Sequence, residues 1–335
     1  MAPLGAKPDN GKVCFGPSIF GRGGRVKNRY AIGFAATLLG ASCWGFSGPC
    51  MQFVFSNYEV PVLFVAAFRL LVAGLVLSAI MLVVKHDEMV ELLHDGRAMG
   101  RVVVFGLLGL FFCQASYMFA IDYTNAGTAT VLQAFNVVIV LAVTCIGSRR
   151  SPRAMEFLAV CLAIFATALI ATKGDFSTLQ IPALGLFWGL ASAVGVAIYV
   201  CYPKPLYEHY SALPVAGLGM FVGGLAATLV LVVSEFAGAD ASAAAFSWVG
   251  EIDGVCVVYL LIIALLGTLV AYGVYLYGVS IVGSVTGSLL GTVEPAAANI
   301  ISAVWLKTSF SWADWLGMVL MIATVFIVSL QPKRD

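Results

Sequence analysis

The chain has 335 residues, of which 61% are hydrophobic and only 10% charged, with a net charge of +1 and a mean hydropathy of +0.99. A soluble domain is roughly half apolar and a quarter charged, so this composition excludes a water-exposed globule and predicts a polytopic membrane protein. A charge near zero argues against a nucleic-acid partner. The eight cysteines lie mostly in apolar stretches, without CxxC or Cys/His pairing, and predict neither a disulfide frame nor a metal site.

Residues 1–30 are polar and carry Gly, Lys and Arg, which predicts a disordered cytosolic tail. The apolar run that follows is too long for a signal-peptide core and reads as a first membrane helix. Ten apolar segments are expected to span the bilayer, at 31–55, 61–84, 99–121, 125–147, 155–172, 182–202, 212–234, 254–278, 281–306 and 312–330. The fold class is therefore all-α, with ten transmembrane helices. With the N-terminus inside, fifteen Lys and Arg residues fall in inside segments, two (Lys173 and Lys307) fall outside, and Arg69 lies within a span. Such asymmetry sets topology and predicts a multi-pass protein of the cell membrane with both termini cytoplasmic.

The chain also repeats itself. A displacement of 158 residues lays Leu107-Leu108-Gly109 on Leu265-Leu266-Gly267, Tyr117 on Tyr275 and Thr128 on Thr286. The same displacement continues without a gap to lay Glu156-Phe157-Leu158 on Asp314-Trp315-Leu316. Near the start of each half, Ala41-Ser42-x-x-Gly45 falls on Ala191-Ser192-x-x-Gly195. The halves are 31–172 and 182–330, with 331–335 as a cytosolic C-terminus. Five spans in each half is an odd number, so the halves must lie in opposite orientations. Inverted repeats mark secondary transporters that work around a site near the bilayer midplane.

The most informative segment is Ser280–Leu306, which carries Glu294-Pro295 near its middle. A carboxylate there costs about 2.5–3.5 kcal/mol to insert and usually faces protein or water. Pro295 has no N–H for the carbonyl of Gly291, so the helix is expected to bend between them. Together with Ala41-Ser42-Cys43-Trp44-Gly45-Phe46 in the first span, Phe68-Arg69 in the second, Ser288-Leu289-Leu290 before Glu294-Pro295, and Ser311-Trp312 before Trp315-Leu316-Gly317, this layout resembles the EamA-type branch of the drug/metabolite transporter superfamily. The resemblance covers about residues 31–330 and implies a ten-helix carrier of small metabolites. Two features depart from the family pattern. Leu306-Lys307-Thr308 and Ser148-Arg149-Arg150 stand where a Leu-Gly-Glu motif is common, and Asn136-Val137 stands where the second half has Glu294-Pro295.

A site on the repeat axis would gather related polar positions. Gln133 and Asn136 share a face of the fourth span and align with Gly291 and Glu294; Gln114 and Tyr117 of the third align with Tyr272 and Tyr275 of the eighth. The sixth span offers Trp188, Ser192 and Tyr199 on one face, and the first offers Trp44 and Ser47. These supply amides, hydroxyls and aromatic faces around one acid, the composition of a small-molecule pocket. Gly291 and Pro295 are the expected kink or gating positions. Each residue has a second reading. Glu294, Gln133 and Asn136 could serve as interhelical hydrogen bonders, and the aromatics as packing or interface anchors. Arg69 binds an anionic solute, pairs with Glu294, or snorkels to the outer surface.

The expected function is secondary transport of an amine-bearing or aromatic metabolite such as an amino acid, in the export direction, by alternating access. A drug, nucleoside or nucleotide-sugar exchanger of the same superfamily is the alternative. Protons are the expected coupling ion if coupling exists, through Glu294; a homodimer is left open. No nucleotide-binding motif is present, and no cofactor or metal is expected. All three histidines (His86, His94, His209) fall in inside loops, which leaves an intramembrane enzyme without a His-activated nucleophile.

Overall fold

The computed structural model describes residues 23–149, 151–237 and 246–329. Every regular element among them is a helix, the principal ones being α1 (Gly23–Asn57), α2 (Val62–Val84), α3 (Gly96–Tyr123), α4 (Ala126–Gly147), α5 (Ala154–Thr172), α6 (Ala183–Cys201), α7 (Ala212–Ala237), α8 (Gly254–Val282), α9a (Ser284–Gly291), α9b (Val293–Val304) and α10 (Trp312–Ser329). The helices α1 to α8 are long and apolar enough to cross a membrane. Of the ten expected spans these are eight, and the last two expected segments carry shorter apolar helices, Val293–Val304 and Trp312–Val328. The segment expected as one span over 281–306 is broken at Thr292, and its longer piece has 12 residues. That piece rises about 18 Å, short of a hydrocarbon core of about 30 Å. α1 begins at Gly23 rather than at 31, so residues 23–30, expected as tail, are helical. The rest of the expected tail, residues 1–22, and the C-terminal 331–335 lie outside the described residues.

The irregularities of the helices obey the same 158-residue offset as the sequence. α3 contains a π-helical stretch at Phe105–Phe111, and α8 contains one at Ile262–Val270. α4 is interrupted after Gln133 and resumes at Asn136, while the second half breaks at Thr292. Pro295 accounts for the break in the second half, because it cannot donate to the carbonyl one turn back. The first half has no proline there. Instead, the Asn136 side-chain amide donates to the Gln133 carbonyl (2.9 Å), supplying locally the bond that a helical N–H would make. Acids at related positions start the last helix of each half. Glu156 accepts from the Arg153 amide (2.7 Å) before α5, and Asp314 accepts from the Ser311 amide (2.8 Å) before α10.

The packing between halves is also reciprocal. α1 packs on α8 as α6 packs on α3, and α2 meets α7, α5 meets α10, and the first part of α4 meets α9b. Exchanging the halves maps the α1–α8 and α3–α6 pairs onto each other and the α2–α7 and α5–α10 pairs onto themselves. Close approach is built at related glycines. A Cβ on Gly267 would collide with Ser47 of α1, and one on Gly109 would lie 3.3 Å from the Tyr199 backbone of α6.

The two largest apolar cores draw on different levels of the same helices. One gathers Met51, Val65, Met118, Ile121, Trp248 and Ile263. The other gathers Leu77, Leu92, Phe105, Leu206, Val215 and Met220. Side chains on the perimeter, such as Leu75, Leu229 and Val319, are apolar and exposed, as lipid-facing residues are. The helix His86–His94 after α2 anchors to the start of α7: the Glu88 carboxylate accepts from the Ser211 amide and hydroxyl and from Lys85 (3.0 Å). Burial alone would push the Glu88 carboxyl up; the Ser211 amide and the Lys85 ammonium outweigh it and hold it below the usual carboxylate range.

Candidate functional site

Between the two cores lies a cavity of about 190 Å³. Its wall is built from seven helices. α1 contributes Trp44 and Ser47, α2 contributes Arg69, and α3 contributes Gly109, Leu110, Cys113, Gln114 and Tyr117. The break in α4 contributes Gln133 and Asn136, α6 contributes Val196 and Tyr199, α8 contributes Tyr272, and the start of α9b contributes Glu294. Both helix breaks therefore open onto the same space, where freed backbone and polar side chains meet an otherwise apolar bundle.

Of the ten residues expected at the site, eight line this cavity: Glu294, Gln133, Asn136, Trp44, Tyr117, Tyr272, Gln114 and Arg69. Tyr275 lies one layer away. With Gly291, Val325 and Thr130 it borders a second cavity of about 270 Å³ that shares Gln133, Asn136 and Glu294 with the first. Its hydroxyl donates to the Gly287 carbonyl (3.0 Å), so it ties α8 to α9a below the kink. Trp188 is not at the cavity. It stacks on Phe119 (4.9 Å between ring centres) and meets Phe187 edge-on at 5.1 Å. Val196 and Tyr199, two and three turns further along the same face of α6, reach the cavity while Trp188 stays at the level of Phe119.

An aromatic group closes one side. The Trp44 ring meets Tyr272 edge-on at 5.0 Å and Tyr275 at 4.8 Å, and Tyr272 meets Tyr199 at 6.2 Å. The opposite side is crossed by Tyr117, whose hydroxyl shares a 2.7 Å hydrogen bond with Thr130. Beyond it Gln52 of α1 accepts from the Ala126 amide (3.0 Å) and donates to Thr308 (3.0 Å), joining α1, α4 and the chain after α9b.

Two charged residues face the cavity. Among the described residues, neither a hydrogen bond nor an ion pair reaches the Glu294 carboxylate. Arg69 does not snorkel outward. It is 3% exposed, and its Nε donates to Thr268 Oγ1 (2.5 Å) and its Nη2 to the Gly267 carbonyl (3.0 Å), both on the π-helical stretch of α8. Sequence reading missed Thr268, Cys113 and Val196. The repeat placed Gly267 opposite Gly109, but nothing in side-chain identity announces a carbonyl turned toward an arginine.

The comparisons with known proteins agree with this architecture. The model of the EamA-like transporter family matches residues 31–172 and 183–330. The chain is 30% identical over 302 residues to the uncharacterized inner membrane transporter YicL of Salmonella typhimurium, covering 90% of this chain and 96% of that protein. It is 24% identical over 276 residues to a chloroplastic WAT1-related protein of Arabidopsis thaliana, covering 81% of this chain and 64% of that protein. It is 24% identical over 232 residues to solute carrier family 35 member F5 of Mus musculus, covering 67% of this chain and 44% of that protein. One solved crystal structure superposes with a TM-score of 0.57 over 90% of this chain and 98% of its own, at 15% identity, a likeness of fold alone. A multi-pass, all-helical bundle with a polar cavity at its two helix breaks, matched in both halves by one family model, belongs to the EamA-like transporter family of the drug/metabolite transporter superfamily.

Proposed function

We propose that this membrane transporter is a secondary carrier of small amine-bearing metabolites, amino acids or aromatic amines, and that it works by alternating access around the cavity between its halves. The carrying observation is that cavity: one carboxylate, one guanidinium, three amides and an aromatic wall, all contributed jointly by helices of both halves. The shared offset of the π-helical stretches and helix breaks, and the reciprocal packing, support two repeats of one design. With both termini inside, as the positive charges argue, the halves are inverted and α9a and α9b act together as one broken span. The broken helices α4 and α9 are the elements that bend, with Gly291 and Pro295 as the kink, while α2 and α7 pack as the scaffold. Export is the direction we assign, from the cytosolic side outward, and protons enter through Glu294, the acid at mid-membrane.

The test is flux in reconstituted vesicles with a labelled amino-acid panel, with and without a pH gradient. The wild type moves a member of the panel and responds to the gradient. Glu294→Gln keeps exchange of that solute and loses the response. Equal transport by wild type and Glu294→Gln under both conditions would make Glu294 an interhelical hydrogen bonder and remove it from coupling.

A further inference from the structure

Arg69 is a cation on a membrane-crossing helix, buried, and without an acid in ion-pair distance among the described residues. A charge in that position is costly unless the surroundings are arranged for it. The arrangement is on α8. In its π-helical stretch the Ala271 amide bonds to the Leu266 carbonyl, one residue further back than in an α-helix. The Gly267 carbonyl loses its α-helical partner and accepts from Arg69 Nη2, while Thr268 Oγ1, itself bonded to the Ile263 carbonyl (3.1 Å), accepts from Nε. A weaker contact from Nη1 to the Met51 sulfur (3.6 Å) completes the seat.

A guanidinium has five N–H groups. Three are used in these contacts, which leaves one on each terminal nitrogen, and the side chain borders the cavity that also holds Glu294. Two parallel donors in one plane are the fork that a carboxylate accepts. Glu294 on the other wall repels a multiply charged anion such as a phosphate and attracts an ammonium. A solute with both groups leaves neither buried charge unpaired.

Resting on the carrier reading above, we propose that Arg69 is the carboxylate-binding residue of the cavity, that Thr268 is the positioning residue holding its fork in place from the π-helical stretch of α8, and that the solute is a zwitterion whose ammonium meets Glu294.

The test is equilibrium binding to the purified full-length protein of three probes: L-phenylalanine, phenethylamine, which lacks the carboxylate, and 3-phenylpropionate, which lacks the amine. The wild type prefers L-phenylalanine to either by about tenfold or more, the scale of a lost charge-assisted contact. Arg69→Met loses the preference over phenethylamine while phenethylamine itself binds as before. Thr268→Val reduces the preference severalfold, and Thr268→Ser, which keeps the hydroxyl, restores it. These last two variants remove no charge, so they keep the test available where Arg69→Met fails to fold, as judged by gel filtration. A preference for L-phenylalanine that survives both Arg69→Met and Thr268→Val overturns the proposal, as does a wild type that binds none of the probes. Flux of the same probes separates the two readings: binding with the stated selectivity but no flux in vesicles leaves the subsite standing and removes the carrier.

Discussion

At the residue scale, the site depends on small side chains as much as on polar ones. Gly267 has two duties. Its missing Cβ lets α1 approach α8 at Ser47, and its carbonyl receives the Arg69 guanidinium. A valine there meets Ser47 and forces the two helices apart, and overpacking of this kind costs about 1–3 kcal/mol. Gly267→Val is therefore expected to lower the thermal midpoint in detergent and to widen the gel-filtration peak, whereas Gly273→Ala, where an added Cβ meets open space, leaves both unchanged. Equal midpoints for the two variants would mean that the α1–α8 contact is looser than its geometry. Among the polar residues, the depth of Arg69 was the least legible. A position one to two turns inside α2 reads as a candidate for snorkelling, and only the acceptors of α8, 199 residues later in the chain, turn it inward.

At the element scale, one bend is made by two different devices. In α9 a proline removes a donor; in α4 an asparagine replaces one by bonding the Gln133 carbonyl. The bend places Gln133 and Asn136 on the cavity from one side and Glu294 from the other. Asn136→Leu keeps the volume and removes the side-chain donor. The Gln133 carbonyl must then either remain unpaired, at about 1–3 kcal/mol, or recover a helical N–H by straightening α4. Both routes disturb the cavity, so flux in vesicles should fall by about tenfold while expression and gel filtration stay close to wild type. Undiminished flux would show that the bend of α4 is incidental to transport. The sequence signalled the bend in α9 through Pro295 and was silent about α4, because an asparagine at mid-helix is compatible with a straight helix until its side chain is seen on its own backbone.

At the scale of the whole molecule, orientation follows from charge. On the topology we propose from the fifteen-to-two distribution of Lys and Arg, the α5–α6 connection lies outside and the His86–His94 helix inside. Both Ser177 and His94 are exposed. In a background without native cysteines, a cysteine at Ser177 should react with a membrane-impermeant maleimide on intact cells, and one at His94 only after permeabilisation. The reverse pattern would invert the whole assignment and with it the direction of export. The Lys173–Asp314 ion pair (3.2 Å) ties the end of α5 to the start of α10 and so joins the two halves.

The amino-acid sequence by itself determined the membrane class, the family, the repeat offset and most of the residues that border the cavity. The membrane class and the repeat offset are properties of composition, of periodicity and of identical spacings in the two halves, the family rests on the resemblance of its motifs, and none of these needs knowledge of which helices touch. Tertiary structure decided what depends on neighbours. Trp188 packs on Phe119 because α6 meets α3 at that depth, whereas Tyr199 on the same face reaches the cavity. The segment over 281–306 becomes two short helices because the backbone after Gly291 turns at Thr292. Arg69 turns inward because a π-helical stretch presents the Gly267 carbonyl and the Thr268 hydroxyl to it. A hydrogen-bond partner on another helix is a matter of distance in space, and single-sequence patterns carry distance only along the chain.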